Sequence, residues 1–444
     1  MKKTILLVLI LAVLFGMSAF AGGQQEAGGG EASAEAAAEF GIEAPAQSVS
    51  IDMIGWAFPI TEFYAEELEK LNAVQNLKVN TQLLDSASAQ EQVRLALSGG
   101  KKSPYAIVHA ANAQISEWGY SDWLLPLDDL IEKYWDEYDL GDIPQTAWDA
   151  ATVDGKIVGI PMASNTLHLM YREDLLEKHG LEVPTTYDEV IEVSQALAEN
   201  EPSIDVPFTM NLHAGWAWET EFLHFVRAFG GDFINDDNTV AFNGSAGVKA
   251  LEKMKEVADK AMGQSGMSYS IDDSEVGLQT GRLAMAQIWA SRAANMDDPD
   301  VSAYPDEIKF APAAAPTAGG PLGGSTWNDF YCIPKNTEVD HELIFKVIME
   351  AVDLESQEEA AGYGIPTRMK AVQSEDADAY MPAAMETIAK GVGAYKNLPG
   401  TSLARTALGE FLPLVGTGEL SPQEALDKAA AKYTEEAKAN GFID

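Results

Sequence analysis

Residues 154–197 read DGKIVGIPMASNTLHLMYREDLLEKHGLEVPTTYDEVIEVSQAL, and the reading of this stretch decides the fold. Asp154-Gly155 is a turn dipeptide. Ile157 to Ile160 is a short apolar run stopped by Pro161, and Leu167 to Tyr171 is a second extended run. Two strands so close together carry the chain across something. Asp174 is placed to cap a short helix that Gly180 ends. Thr186 with Glu189 three residues later is a capping box, because hydroxyl and carboxylate each satisfy an orphan backbone N–H of the next helix. That helix carries Tyr187, Val190, Ile191 and Leu197 on one face.

Upstream, Val49 to Ile54 alternates as a strand, Glu62 to Gln75 reads as a helix, and Val79 to Leu84 as a second strand. Ser86 or Ser88 is placed to cap a helix that Gly99-Gly100 stops, and Tyr105 to His109 is a third strand. This β-α-β-α-β order implies a parallel sheet, beyond whose carboxyl ends ligands sit. Those ends carry Trp56, Asp85 and Asn112.

Lys2, Lys3, the apolar run Ile5 to Phe15 and Ala19-Phe20-Ala21 read as an export signal over residues 1–21. Residues 22–46, rich in Gly, Ala, Glu and Gln, have almost nothing to bury and are expected to be a flexible leader. Cys332 is the single cysteine, so no disulfide forms within the chain and no lipid-attachment cysteine follows the signal. A periplasmic location is expected. A net charge of −40 repels nucleic acid and anionic polymers. The six histidines are scattered without metal-ligand spacing. G-x-S-x-G, G-x-G-x-x-G, Walker and H-E-x-x-H motifs are absent, so neither an enzyme nor a cofactor or metal is expected.

Asp154-Gly155-Lys156, Pro161, the Ser164-Asn165-Thr166 patch, Leu169 to Arg172, Gly180-Leu181 and Pro184-Thr185-Thr186 stand in one order. That order closely resembles the segment in which bacterial extracellular solute-binding proteins, the maltose-binding-protein-like receptors of ABC sugar importers, pass from one lobe to the other. Residues 281–289, residues 323–336 with their Ile-Pro-Lys-Asn exit, and Gly362 to Arg368 are similar to further landmarks of that family. The family has Pro-Asp before its third strand, where this chain has Pro104-Tyr105.

The resemblance implies an α/β, two-lobe periplasmic-binding-protein fold, each lobe a mostly parallel sheet flanked by helices, with a ligand cleft at a multi-crossing hinge. It divides the chain into residues 47–163 and 311–352 for lobe 1 and residues 164–310 and 353–444 for lobe 2. It aims Trp56, Trp216, Trp218, Trp289 and Trp327 at the cleft, where flat aromatic faces suit the C–H faces of a sugar. Asp85, Asn112, Asn165, Asn328 and Arg368 are its polar candidates for hydroxyls, each with a turn, cap or ion-pair role as the plain alternative. The implied function is a monomeric exported receptor that binds a carbohydrate and delivers it to ABC permease subunits. A polyol or cationic solute is the alternative ligand, and a secreted carbohydrate-active enzyme the alternative class.

Overall fold

The computed structural model describes residues 40–213, 217–373 and 378–444. The export signal, most of the leader and Trp216 lie outside the described residues. In the first of two main sheets, β1 (Val49–Trp56), β2 (Leu77–Leu84) and β3 (Ile107–Ala111) run parallel with β1 in the middle. The helices Pro59–Lys70 and Ser86–Ser98 supply the crossovers that parallel neighbours need. β4 (Thr152–Val153) and β5 (Lys156–Ile157) form a hairpin that turns through Asp154 and Gly155, at φ 50° and 73°, a conformation that aspartate and glycine tolerate.

β6 (Ile160–Asn165) then enters the first sheet and β7 (Leu167–Arg172) the second. Thr166 alone separates them. The second expected run, Leu167 to Tyr171, is β7, but the first is misplaced: Ile157 ends β5, and β6 begins at Ile160 and runs through Pro161, which pairs with Phe330 instead of stopping the strand. β8 (Val206–Met210), β9 (Leu283–Trp289) and β10 (Ile308–Pro312) complete the second sheet in the order β10-β7-β9-β8. β11 (Trp327–Cys332) returns to the first sheet and β12 (Ile365–Pro366) closes its edge, giving β12-β6-β11-β3-β1-β2. The first sheet is buried on both faces: β1 sends Ile51 and Met53 to one core and Ile54 to the other. Among the described residues no helix is long and apolar enough to cross a membrane.

The two-lobe α/β architecture is as expected, but the sheets are mixed rather than mostly parallel. β11 is antiparallel to β3 and β6, β12 to β6, and β7 to both β9 and β10. The chain changes sheet directly, with no intervening helix, from β6 to β7 and from β10 to β11. The expected lobe boundaries also move. Ser164 and Asn165 still pair with β11 in the first sheet. β10 pairs with β7 through Pro312, and Ala315 N–H donates to the Thr185 carbonyl at 2.9 Å, so the second crossing, back to the first sheet, comes just before Trp327 rather than at 311. The third crossing lies beyond Arg368, not near Asp353. Asp353 caps the helix Leu354–Ala360 through Ser356 N–H at 2.8 Å, and the Gln357 amide oxygen holds Thr367 N–H and Arg368 N–H at 2.8 and 2.9 Å against the first sheet.

Local signals fared unevenly. The Thr186/Glu189 box forms, with Glu189 N–H on Thr186 Oγ1 at 3.3 Å and Thr186 N–H on the Glu189 carboxylate at 3.1 Å. Gly180 ends the helix Glu173–His179 at φ 64°. Asp174 does not cap that helix but grips Arg172 in a bidentate pair, both contacts at 2.7 Å. Asp85, rather than Ser86 or Ser88, caps the helix Ser86–Ser98 by accepting Ser88 N–H at 3.0 Å. The leader ends earlier than expected: Ile42 is 1 % exposed in the first-lobe core with Phe40 packed alongside, and Asn76 donates to the Pro45 carbonyl at 2.8 Å. One isoleucine in a polar tract is enough to dock it.

Candidate functional site

The sheets place aromatic residues where strands end. Trp56 is the last residue of β1, Trp289 the last of β9 and Trp327 the first of β11. These three indoles line one cleft of about 550 Å³. The first lobe adds Phe58, Asp85, Gln90 and Gln114; Asn165 and Asp329 come from β6 and β11; the second lobe adds Asp272, Ser291, Arg292 and Arg405. Trp289 and Trp327 meet at 5.6 Å between ring centroids with planes at 60°, and Tyr395 packs edge-on against Trp327 at 5.4 Å. Trp56 stacks on His109 at 3.4 Å and 17°. Such rings offer flat, rigid apolar surface with a polar N–H at the edge.

Hydrogen bonding fixes the polar wall. Asn165 spans the first crossing: its amide oxygen accepts Thr166 N–H and Ser291 N–H at 3.0 and 3.2 Å, and its amide nitrogen donates to Ser291 Oγ at 3.1 Å. Both arginines are already engaged. Arg292 pairs with Glu275 at 2.9 Å and Asp272 at 3.0 Å. Arg405 donates to Glu219 at 2.6 and 2.9 Å, while Tyr395 donates to the other oxygen of Glu219 at 2.5 Å. Burial, with Glu219 adding to it, pushes the Tyr395 phenol well above its ordinary pKa. Asp329 accepts from His109 Nε2 at 2.7 Å, and burial lowers the imidazole's pKa against the opposing pull of Asp329. The Asp85 carboxyl is held below its usual range by its hydrogen bonds from Ser88.

Of the ten residues expected at the cleft, Trp56, Asp85, Asn165, Trp289 and Trp327 are brought together. Asn112 and Asn328 are buried behind its wall, where the Asn112 amide oxygen accepts Asn328 N–H at 2.5 Å and Asn328 accepts Ser164 Oγ–H at 3.2 Å. Trp218 is 3 % exposed in the second-lobe core, seated against Gly416. Arg368 is 1 % exposed and donates to the carbonyls of Tyr138 and Asp139 at 2.9 and 3.1 Å, tying a loop to the first lobe. Trp216 lies outside the described residues.

Sequence reasoning missed Phe58, Gln90, Gln114, Asp272, Asp329, Ser291, Arg292 and Arg405. For Asp329 the signal was available. Alternate residues of a strand share a face, so Trp327 at the cleft selects Asp329 and turns Asn328 away. For Arg405 no local signal exists, since it arrives on the helix Thr401–Phe411.

Comparison with known proteins agrees with this architecture. A solute-binding protein from Agrobacterium radiobacter solved with ribitol superposes with a TM-score of 0.77 at 20 % identity, over 88 % of this chain and 99 % of that one. T. maritima MalE3 with maltose bound gives 0.75 at 19 % identity, over 87 % and 99 %. An uncharacterized ABC transporter extracellular-binding protein of Pyrococcus horikoshii is 32 % identical over 118 residues, 26 % of either chain. The lactose-binding protein of Rhizobium radiobacter is 23 % identical over 257 residues, 54 % of this chain. The matched segments span 26 % and 56 % of the lengths of these two relatives. The model of the bacterial extracellular solute-binding protein family matches residues 58–342, well over half of the sequence, and the chain belongs to that family.

Proposed function

We propose that the chain is an exported receptor that holds a neutral carbohydrate or polyol in the interlobe cleft and delivers it to an ABC-type importer. One observation carries the reading: three indoles at strand ends enclose a cleft whose arginines are already paired with Glu219, Glu275 and Asp272. Stacking faces with fixed hydrogen-bonding edges suit a polyhydroxy ligand. Arginines spent on internal carboxylates do not suit a phosphorylated one. A handful of hydrogen bonds at about 1 kcal/mol each, with stacking of similar size, reaches the roughly 8 kcal/mol of a micromolar constant. Ligand bridging both lobes favours the closed form by its greater affinity for it, and hinge closure is a motion for which periplasmic binding proteins are a standing example. The receptor works as a monomer in the periplasm and returns its ligand chemically unchanged.

A cationic solute is the second reading, favoured by Asp85 and Asp329, neither of which meets a lysine or arginine among the described residues. A thermal-shift screen separates the readings, because a ligand that binds only the folded state raises the melting temperature by mass action. Ribitol, D-mannitol, maltose and lactose form the neutral arm, suggested by the molecules named with the structural neighbours and relatives. Spermidine forms the cationic arm. A rise with a neutral probe and no product on long incubation supports the receptor. A rise with spermidine alone moves the ligand to the cationic class, and hydrolysis of an oligosaccharide moves the protein to the carbohydrate-active enzymes.

A further inference from the structure

Asp329 is under-partnered for a buried carboxylate. Its side chain is 5 % exposed, one oxygen accepts from His109 at 2.7 Å, and no other hydrogen bond from the described residues reaches it. A buried charge needs several donors or an opposite charge. His109 supplies one neutral N–H, its protonation being opposed by burial. The Asp272 carboxylate, by contrast, pairs with Arg292, and Asp85 is an exposed helix cap. Asp329 alone among the three is both desolvated and without a cation, and it lines the cleft.

The backbone aims it there. The pairing of β11 with β6 slips between Asp329 and Phe330, opposite Ala163 and Pro161, so Met162 is the extra residue. Bulges re-aim side chains next to binding sites, and Pro161, which lacks an N–H to give the ladder, sits at the slip. His109 holds the arrangement from behind, stacked flat on Trp56 so that this face of the indole is closed to ligand. Gly55 leaves it room: a Cβ there would stand 3.1 Å from His109 Cβ and 3.2 Å from Nδ1. Tyr331 meets the imidazole edge-on at 6.5 Å.

We propose that Asp329, positioned by His109 behind Trp56, is the cleft's hydroxyl-anchoring carboxylate and selects solutes that place a donor hydroxyl beside the Trp56 ring. The inference rests on the receptor reading. His109 is the positioning residue. The competing account is a staple between β3 and β11 with no part in binding, which affects melting alone.

The test uses the full chain, its Asp329→Asn, His109→Gln and His109→Leu variants, calorimetric titration with ribitol, D-mannitol, maltose, lactose and spermidine, and monodeoxy analogues of the neutral probe that binds best. Losing a hydrogen bond to a charged acceptor weakens binding about 10- to 100-fold, and Asp329→Asn is expected to do so. His109→Leu is expected to lose affinity similarly, while His109→Gln, which keeps a donor for Asp329, stays within about threefold. In the unsubstituted protein one deoxy position is expected to cost as much as Asp329→Asn, and in Asp329→Asn that position costs nothing more. This series reads the contact without relying on the fold of a variant. Asp329→Asn binding within twofold of the unsubstituted protein, or equal losses at every deoxy position, overturns the inference and leaves the receptor reading standing. Binding of spermidine alone overturns the hydroxyl assignment, and binding of no probe removes both readings together.

Discussion

Replacing Trp218 by alanine separates a core residue from a cleft residue. The indole is 3 % exposed, in one core cluster with Phe222, Leu412 and Val415. Large-to-small changes of buried aromatics cost about 3–5 kcal/mol, because the transfer free energy is lost and a cavity is left. The seat is tight: a Cβ added at Gly416 would stand 2.5 Å from Trp218 Cζ2. Gly416→Ala alone therefore overpacks the site, costing about 1–3 kcal/mol. In the Trp218→Ala background the same methyl points into vacated space, so the pair couples by roughly that amount in a double-mutant cycle. Guanidinium unfolding of the four proteins followed by far-ultraviolet circular dichroism is the assay, since ellipticity does not depend on the tryptophan removed. The expected outcome is a lowered midpoint for each single variant, a double variant less destabilised than the sum, and ligand affinity of the folded protein unchanged. A Trp218→Ala protein that loses under about 1 kcal/mol and binds ligand more weakly would refute the core assignment.

Ile42→Ala is expected to lower stability by about 2–5 kcal/mol as a buried aliphatic truncation, read as a drop in melting temperature; an unchanged melt would return residues 40–46 to the free leader. Arg368→Met leaves the carbonyls of Tyr138 and Asp139 without their donors, at about 1–3 kcal/mol for each left unsatisfied, and calorimetric affinity stays as it was. Burial raises the Glu350 carboxyl to about 7, above the ~4.3 of an unfolded glutamate. The folded state therefore binds the extra proton, and stability falls as pH rises from about 4.3 through 7. Glu350→Gln is expected to melt higher than the parent at pH 8, by on the order of 1 kcal/mol for so partly exposed a group, with the difference gone at pH 4; an equal gain at both pH values would exclude the ionisation. Trp327→Ala removes a stacking face and is expected to weaken binding about 3- to 10-fold, whereas unchanged affinity would take the ligand off that ring.

What the sequence made legible was what local physics decides. The Thr186/Glu189 box and the Gly180 stop depend on atoms within a few residues of one another, and so does the Asp154-Gly155 hairpin. Most strands came through because period is local too, but Pro161 was read as a stop and instead lies inside β6, where the bulge opposite Phe330 accommodates its missing N–H. Strand direction did not come through: whether β11 runs with or against β3 is set by where the chain re-enters the sheet, some two hundred residues later. Trp218 was misassigned because what seats it is remote: Gly416 packs against the indole, and Leu412 and Val415 share its core cluster, all far along the chain. Arg368 is likewise buried by a remote loop, through Tyr138 and Asp139. Asp85 takes the cap role that its position before a helix allows, from a place on the cleft wall. Asp329 was recoverable from strand alternation with Trp327 and was passed over for its neighbour Asn328, which the same rule turns into the wall.

The most direct test of the central claim is calorimetric titration of the purified chain with ribitol, D-mannitol, maltose and lactose, followed by recovery of the ligand for analysis. The prediction is one neutral polyhydroxy solute per chain at micromolar affinity or tighter, recovered unaltered, with the binding heat lost in Trp327→Ala and Asp329→Asn in proportion to their weakened affinity. Heat from spermidine alone, or recovery of cleaved sugar in place of the ligand supplied, would contradict it.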